Sequence, residues 1–220
     1  MYLFFRKLLS IFFHIKYKIN VIGAENIPGM KGGYIIACNH QSYADPPMIA
    51  AVIRGKFSFM AKEELFKKNP FFAFLIRRCG AFPVARGSGD DAPIKASVEA
   101  LRKNRILVIF PEGTRSKDGT IGRMKSGVVL IASGAEAPVL PVCIRYSGKN
   151  RVDVNIGKLI PAAEVHIDEE DRHSMRNVAK RLGDDLHALQ AQIYEAAGDP
   201  LPVPAKAGKS EKNAAEAESK

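Results

Sequence analysis

Cysteine is scarce in this chain. Cys38, Cys79 and Cys143 are three among 220 residues, odd in number, far apart and each set in apolar sequence. That excludes a disulfide framework and gives no zinc-site spacing, so a reducing compartment fits. A long apolar run is missing as well. The opening MYLFFRKLLSIFFHIKYKI is broken by charge, so it lacks the roughly 20 mostly apolar residues that a spanning helix needs, and it carries no small-residue cleavage site of a signal peptide. No zinc-finger, RRM or homeodomain pattern, internal repeat or G-x-S-x-G elbow occurs, which argues against nucleic acid as a partner and against an acyl-carrying Ser42. The histidines His14, His166, His173 and His187 fall in segments that read as surface helix or loop, with no metal cluster.

What is abundant is positive charge. The formal net charge is +10 in a chain of otherwise ordinary globular composition, 46% hydrophobic and 25% charged, and this favours anionic partners. The excess lies in two patches: residues 54–105 hold twelve Lys or Arg against five Asp or Glu, and the first twenty hold Arg6, Lys7, Lys16 and Lys18 with no acid. Both patches are interleaved with phenyl and aliphatic groups, as in ELFKKNPFFAFLIRRCG, which points to an anionic membrane surface.

At 3.6 residues per turn, residues 1–19 place Arg6, Lys7, Ser10, His14, Tyr17 and Lys18 on one side, with Leu3, Phe4, Phe5, Leu8, Ile11, Phe12 and Ile15 over most of the rest. The pattern predicts an amphipathic helix lying on a membrane surface; a first core helix would show the same stripe. Beyond it, apolar runs predict strands at Tyr34 to Cys38, 57–61, 80–86, 106–110 and 139–146. Helices are predicted from Asp45 to about Arg54, in pieces over 64–79 broken at Pro70, and over 93–103, 126–133 and 174–194. This alternation predicts an α/β domain over residues 20–197, a mainly parallel central sheet flanked by helices, with ligands gathered at strand ends. From Gly198 to Lys220 the composition is polar and aperiodic, as in a disordered tail.

His40 and Asp45 stand five residues apart just after the first predicted strand. Asp45 ahead of Pro46 reads as a helix cap, and His40 as an ordinary loop histidine. The same pair also reads as chemistry: a neutral imidazole accepts a hydroxyl proton while a carboxylate on its other nitrogen fixes the tautomer. Cys38 reads as a buried strand thiol.

The stretches NHQSYAD (39–45), GAFPVAR (80–86), FPEGTRS (110–116) and VLPVCIRY (139–146) resemble, in order and spacing, the four blocks of the glycerolipid acyltransferase family, in particular the bacterial 1-acyl-sn-glycerol-3-phosphate acyltransferases. VIGAENIPG and MKSGVVLIA also look like that family, so the similarity spans about residues 20–150. It implies His40 as general base and Asp45 as its orienting partner. It implies lysophosphatidic acid as acceptor, acyl-CoA or acyl-carrier protein as donor, phosphatidic acid as product, and no cofactor. By the same resemblance Arg86, Glu112, Gly113, Thr114, Arg115 and Lys125 bind the glycerol phosphate, and Pro141 lies near the acyl group. Within that reading, Gly113 is expected to expose backbone N–H groups, Lys125 to open a helix, and Glu112 to order an arginine or meet a glycerol hydroxyl. The expected location is the cytoplasmic face of a bacterial inner membrane. Another lysolipid acceptor, such as lyso-ornithine lipid, or a non-catalytic binder of anionic lipid, is the alternative.

Overall fold

The computed structural model describes residues 2–29, 32–67, 69–84, 91–168, 171 and 173–204, with side chains from Lys7 onward. Helix α1 (Tyr2–Lys16) leads into strand β1 (Lys18–Ile22), followed by β2 (Tyr34–Cys38), α2 (Asp45–Val52), β3 (Phe57–Lys62), the short α3 (Glu64–Lys67) and α4 (Pro70–Arg78). Then come β4 (Ala81–Val84), α5 (Ala92–Arg102), β5 (Ile106–Ile109), α6 (Gly127–Ala135), β6 (Val139–Ser147), β7 (Arg151–Ile156), α7 (Ala162–Val165) and α8 (Ser174–Ala197). The seven strands form one sheet in the order β1-β7-β6-β2-β5-β3-β4, parallel throughout except between β6 and β7.

Both faces of the sheet are covered, which is why β2 and β5 are unbroken apolar runs. Ile35 and Ala37 of β2 face a core built with Leu101, Val128, Ile131, Leu182, Leu186 and Ile193, from α5, α6 and α8. Tyr34, Ile36 and Cys38 face the other core, with Phe13 of α1 and Met48 and Ile49 of α2. Each such Ile or Leu, once fully buried, stabilises the fold by about 1.5–3 kcal/mol of transfer free energy. The β2–α2–β3 and β3–α4–β4 crossovers run the same way along the sheet, so right-handed connections put α2 and α4 on one face, with α1 packed on α2.

Several expectations are corrected. The first helix stops at Lys16, and Lys18 and Ile19 begin β1, an edge strand that pairs with β7. Ser10 of α1, expected on the polar side, faces the body and donates to the Ala51 carbonyl at 3.2 Å. Strands β1 and β7 had no counterpart among the predicted strands, and α2 ends at Val52 rather than Arg54. Pro141 sits in β6, an interior strand, in regular register opposite Ala37 of β2. It is tolerated there because the ladder to β7 starts only at Val142, while the Pro141 carbonyl accepts from the Gly157 N–H at 2.9 Å. At the other end of the chain, Asp199 is ion-paired with Arg145, so the placed chain runs past Gly198, and residues 205–220 of the expected tail lie outside the described residues.

Candidate active site

The register of β2 on β5 sets Ala37 opposite Ile109, so the segments that follow, beginning at Asn39 and Phe110, emerge side by side at the carboxyl edge. Their crossovers leave to opposite faces, the arrangement that opens a crevice in doubly wound sheets. Strand β6, on the other side of β2, runs past this edge and carries Tyr146 beside it. Asn39, almost wholly buried, ties the β2 end to β6 by donating to the Ile144 carbonyl at 2.9 Å and accepting from the Ile144 N–H at 2.7 Å.

His40 and Asp45 meet here. The His40 Nδ1 lies 2.7 Å from Asp45 Oδ2, with the imidazole 19% exposed and the carboxylate 0%. Asp45 Oδ2 also accepts from the N–H groups of Gln41 and Ser42, both at 2.8 Å, and Oδ1 accepts from the Tyr146 hydroxyl at 2.7 Å. Asp45 is therefore not a helix cap: its oxygens take loop donors that precede α2, and the Ala44 cap position makes no side-chain bond to the helix. A carboxylate oxygen that already takes two backbone N–H groups can only accept from the ring as well, which puts the ring proton on Nδ1 and leaves Nε2 with its lone pair facing outward. Among the described residues Nε2 has no hydrogen-bond partner. The ring is braced by Phe110, stacked at 4.0 Å between centroids and 20° between planes. Burial and the Asp45 charge push the Tyr146 hydroxyl far up, so it stays a donor.

Glu112 differs from expectation. Its Oε1 accepts from the backbone N–H of His40 at 2.9 Å and its Oε2 from that of Gly122 at 2.8 Å, so it orders two loops, and among the described residues no arginine is bonded to it. The His40 carbonyl accepts in turn from the Ser116 N–H at 2.7 Å. The FPEGTRS segment thus grips the main chain of the histidine from both sides. Burial raises the Glu112 carboxyl above its ordinary value, against the lowering effect of the two backbone donors and of His40. For a carboxyl raised in this way, stability is fully present below its unfolded pKa and is lost as pH rises through the folded value. Ionising this carboxyl therefore works against its own burial.

The remaining predicted residues fall in two places. Gly113 has φ +74°, and a Cβ there would stand 2.5 Å from Lys125 Nζ, so glycine both permits the turn and lets the lysine lie across it. Its own N–H is not exposed for a ligand, being bonded to the Phe110 carbonyl at 3.0 Å. Thr114, Arg115 and Lys125 are exposed on the same loop, and Lys125 precedes α6 instead of opening it, its N–H donating to Pro111 at 2.8 Å. The Arg115 guanidinium lies 3.6 Å over the Tyr43 ring. Pro141 is not with them: it lines a separate cavity with Gly157, Leu189 and Gln192, beside β7 and α8. Arg86 lies outside the described residues. Sequence reasoning assigned no role to Asn39, Phe110, Tyr146 or Gly122, although the first three stand inside the quoted blocks.

Cys38 is fully buried two residues before His40, and burial, Asp45, Cys143 and Glu112 all hold its thiol well above the ordinary value. Burial does the same to Cys143. Neither is a nucleophile. Iodoacetamide at neutral pH is expected to leave both unlabelled in the native protein, as read by mass spectrometry of tryptic peptides.

A family model described as Acyltransferase matches residues 18–145. The 1-acyl-sn-glycerol-3-phosphate acyltransferase of Streptococcus pneumoniae is 31% identical over 191 residues, which cover 82% of this chain and 69% of that protein. The enzyme of the same name from Bacillus subtilis is 30% identical over 169 residues, covering 76% of this chain and 83% of the relative. Among solved structures, that of the 1-acyl-sn-glycerophosphate acyltransferase PlsC from Thermotoga maritima aligns with a TM-score of 0.67 at 25% identity, over 86% of this chain and 79% of that one.

Proposed function

The chain belongs to the acyltransferase family, and on that premise we propose that it moves a fatty acyl group from a thioester to the free hydroxyl of 1-acyl-sn-glycerol 3-phosphate, giving phosphatidic acid. His40 Nε2 takes the hydroxyl proton as the oxygen attacks the thioester carbonyl. The new C–O bond forms, the C–S bond breaks, and the proton passes from the imidazolium to the departing thiolate. Asp45 balances the cation formed on the ring. Neither an acyl-enzyme nor a cofactor enters. Acyl-CoA or acyl-carrier protein supplies the thioester.

The observation that carries this reading is the 2.7 Å contact between His40 Nδ1 and a buried carboxylate, which presents a neutral Nε2 at a strand-end crevice. Arg115 and Lys125, on one loop, would hold the phosphate through charge-assisted bonds, and Arg86 is assigned to the same phosphate from its place in GAFPVAR. The test is purified protein with lysophosphatidic acid and palmitoyl-CoA or palmitoyl-carrier protein, scored by free thiol release and phosphatidic acid formed. Absence of both with either donor would overturn the reading.

Tyr43 presets the Arg115 plane. Since an exposed cation–π pair is worth about 0.5–1 kcal/mol, Tyr43→Ala is expected to raise KM for lysophosphatidic acid about two- to fivefold at unchanged kcat, and Tyr43→Phe to leave it alone, as initial-rate kinetics will show.

Among the described residues no helix is long and apolar enough to cross a membrane. We place the protein on the surface of a bacterial inner membrane, at its cytoplasmic face. In support, α1 leaves Leu8, Ile11, Phe12 and Ile15 in the open, Ile15 at 81% exposure, and α4 on the same side of the sheet leaves out Phe71, Phe72 and Phe74 beside Arg77 and Arg78. The double change Phe12→Glu with Ile15→Glu is expected to reduce partitioning onto anionic vesicles at least tenfold in flotation assays, given about 1.5–3 kcal/mol per buried large side chain.

A further inference from the structure

Helix α8 lies beyond the residues matched by the family model, which end at 145, yet one of its buried side chains reaches the active edge. Gln190 is 4% exposed, and its Nε2 donates to the Gly119 carbonyl at 2.7 Å. The same carbonyl receives Nε2 of Gln41, the residue after the histidine, at 3.4 Å. Gly119 has φ +83°, with the Tyr194 hydroxyl 3.5 Å and Pro202 3.9 Å from where a Cβ would stand. It is the apex of the segment whose two ends hold the histidine: the Ser116 N–H bonds the His40 carbonyl, and the Gly122 N–H bonds the carboxylate that accepts from His40 N–H.

The helix can serve as a fixed reference for that segment. Leu182, Leu186, Leu189 and Ile193 sit in the core, and past its end Asp199 pairs with Arg145, whose guanidinium lies 4.1 Å over the Tyr194 ring. A buried primary amide has a strong demand for its acceptor, since leaving the group unpaired is disfavoured more than an exposed bond is favoured. We infer that Gln190 is a positioning residue for acyl transfer: through Gly119 it sets the height of the loop that fixes the main chain of His40, and so the aim of Nε2 at the acceptor hydroxyl. This rests on the acyl-transfer reading above.

The test compares Gln190→Met, of similar length but without a donor, and Gln190→Glu, of the same shape with only acceptors facing a carbonyl. The expected order of kcat is wild type, then Met, then Glu. The Met variant should fall about tenfold, within the range caused by misplacing a catalytic group by an ångström or less, with KM for both substrates unchanged. Amide hydrogen exchange at Ser116 and Gly122 should speed up about tenfold while the amides of β2 and β5 keep their protection. Gln190→Asn, one methylene short of Gly119, takes the place of methionine if that variant does not fold. A folded variant with kcat within twofold of wild type, or a loss of kcat with unaltered exchange at Ser116 and Gly122, overturns the inference. Wild-type protein without thioester turnover would instead sink the acyl-transfer reading, and the exchange measurement alone would then decide whether Gln190 holds the loop.

Discussion

Replacing His40 by alanine is expected to lower kcat by about 10²–10⁴-fold, the range general-base assistance supplies, with folding and vesicle binding preserved. The surroundings explain why the loss should be confined to chemistry. The bonds from Glu112 and Ser116 go to the backbone of residue 40 and not to its ring, so the loop remains pinned. Asp45 keeps the N–H groups of Gln41 and Ser42 and the Tyr146 hydroxyl, so no carboxylate is stranded without donors. What disappears is the proton acceptor and the stack on Phe110. Thiol release at saturating substrate, beside a thermal melt and a flotation assay, checks all three expectations; turnover within tenfold of wild type would remove His40 as base.

Asp45→Asn is expected to lower kcat within the same range of about 10²–10⁴-fold, that of the general-base step it supports, through charge alone. The asparagine oxygen can face the three N–H donors that Oδ2 now receives, and its amide can face Tyr146, whose hydroxyl then accepts instead of donating. Geometry and tautomer survive that exchange. The buried negative charge that stabilises the imidazolium does not. The variant should therefore melt within a few degrees of wild type, keep its KM for lysophosphatidic acid, and lose kcat. Tyr146→Phe makes the contrast, since it leaves Asp45 Oδ1 without a donor in a buried place and should lower stability by about 1–3 kcal/mol.

How much of this was written plainly in the chain depends on what kind of atom does the work. The runs YIIAC and ILVI read as buried strands and are, because both faces of each are covered by helices. RVDVNI alternates polar and apolar residues, the pattern of a half-buried strand, and has no place among the predicted strands; what the pattern does not show is that its polar positions are buried too, Asp153 accepting from Asn20 and Arg151, and Asn155 donating to the Leu189 carbonyl and Gln192. Strand β1 was hidden at the end of an apolar helical stripe. In the site, the imidazole and its carboxylate were legible as a pair at the end of a strand. The second use of a carboxylate, Glu112 holding two backbone N–H groups, was not, because main-chain donors leave no mark in residue type. The same holds for Gln190, whose acceptor is a carbonyl 71 residues away.

The pairing of β1 with β7 bears on how the protein comes off the ribosome. Asn20 and Asp153 are hydrogen-bonded across 133 residues of chain, so at an elongation rate of roughly 5–20 residues per second the first strand waits about 7–27 seconds for its neighbour to be made. Throughout that interval the greasy N-terminal helix has emerged while the edge it leads into is unmatched, a state prone to sticking. An early landing of that helix on lipid during translation would shorten the exposure and leave the sheet to close against an already tethered end.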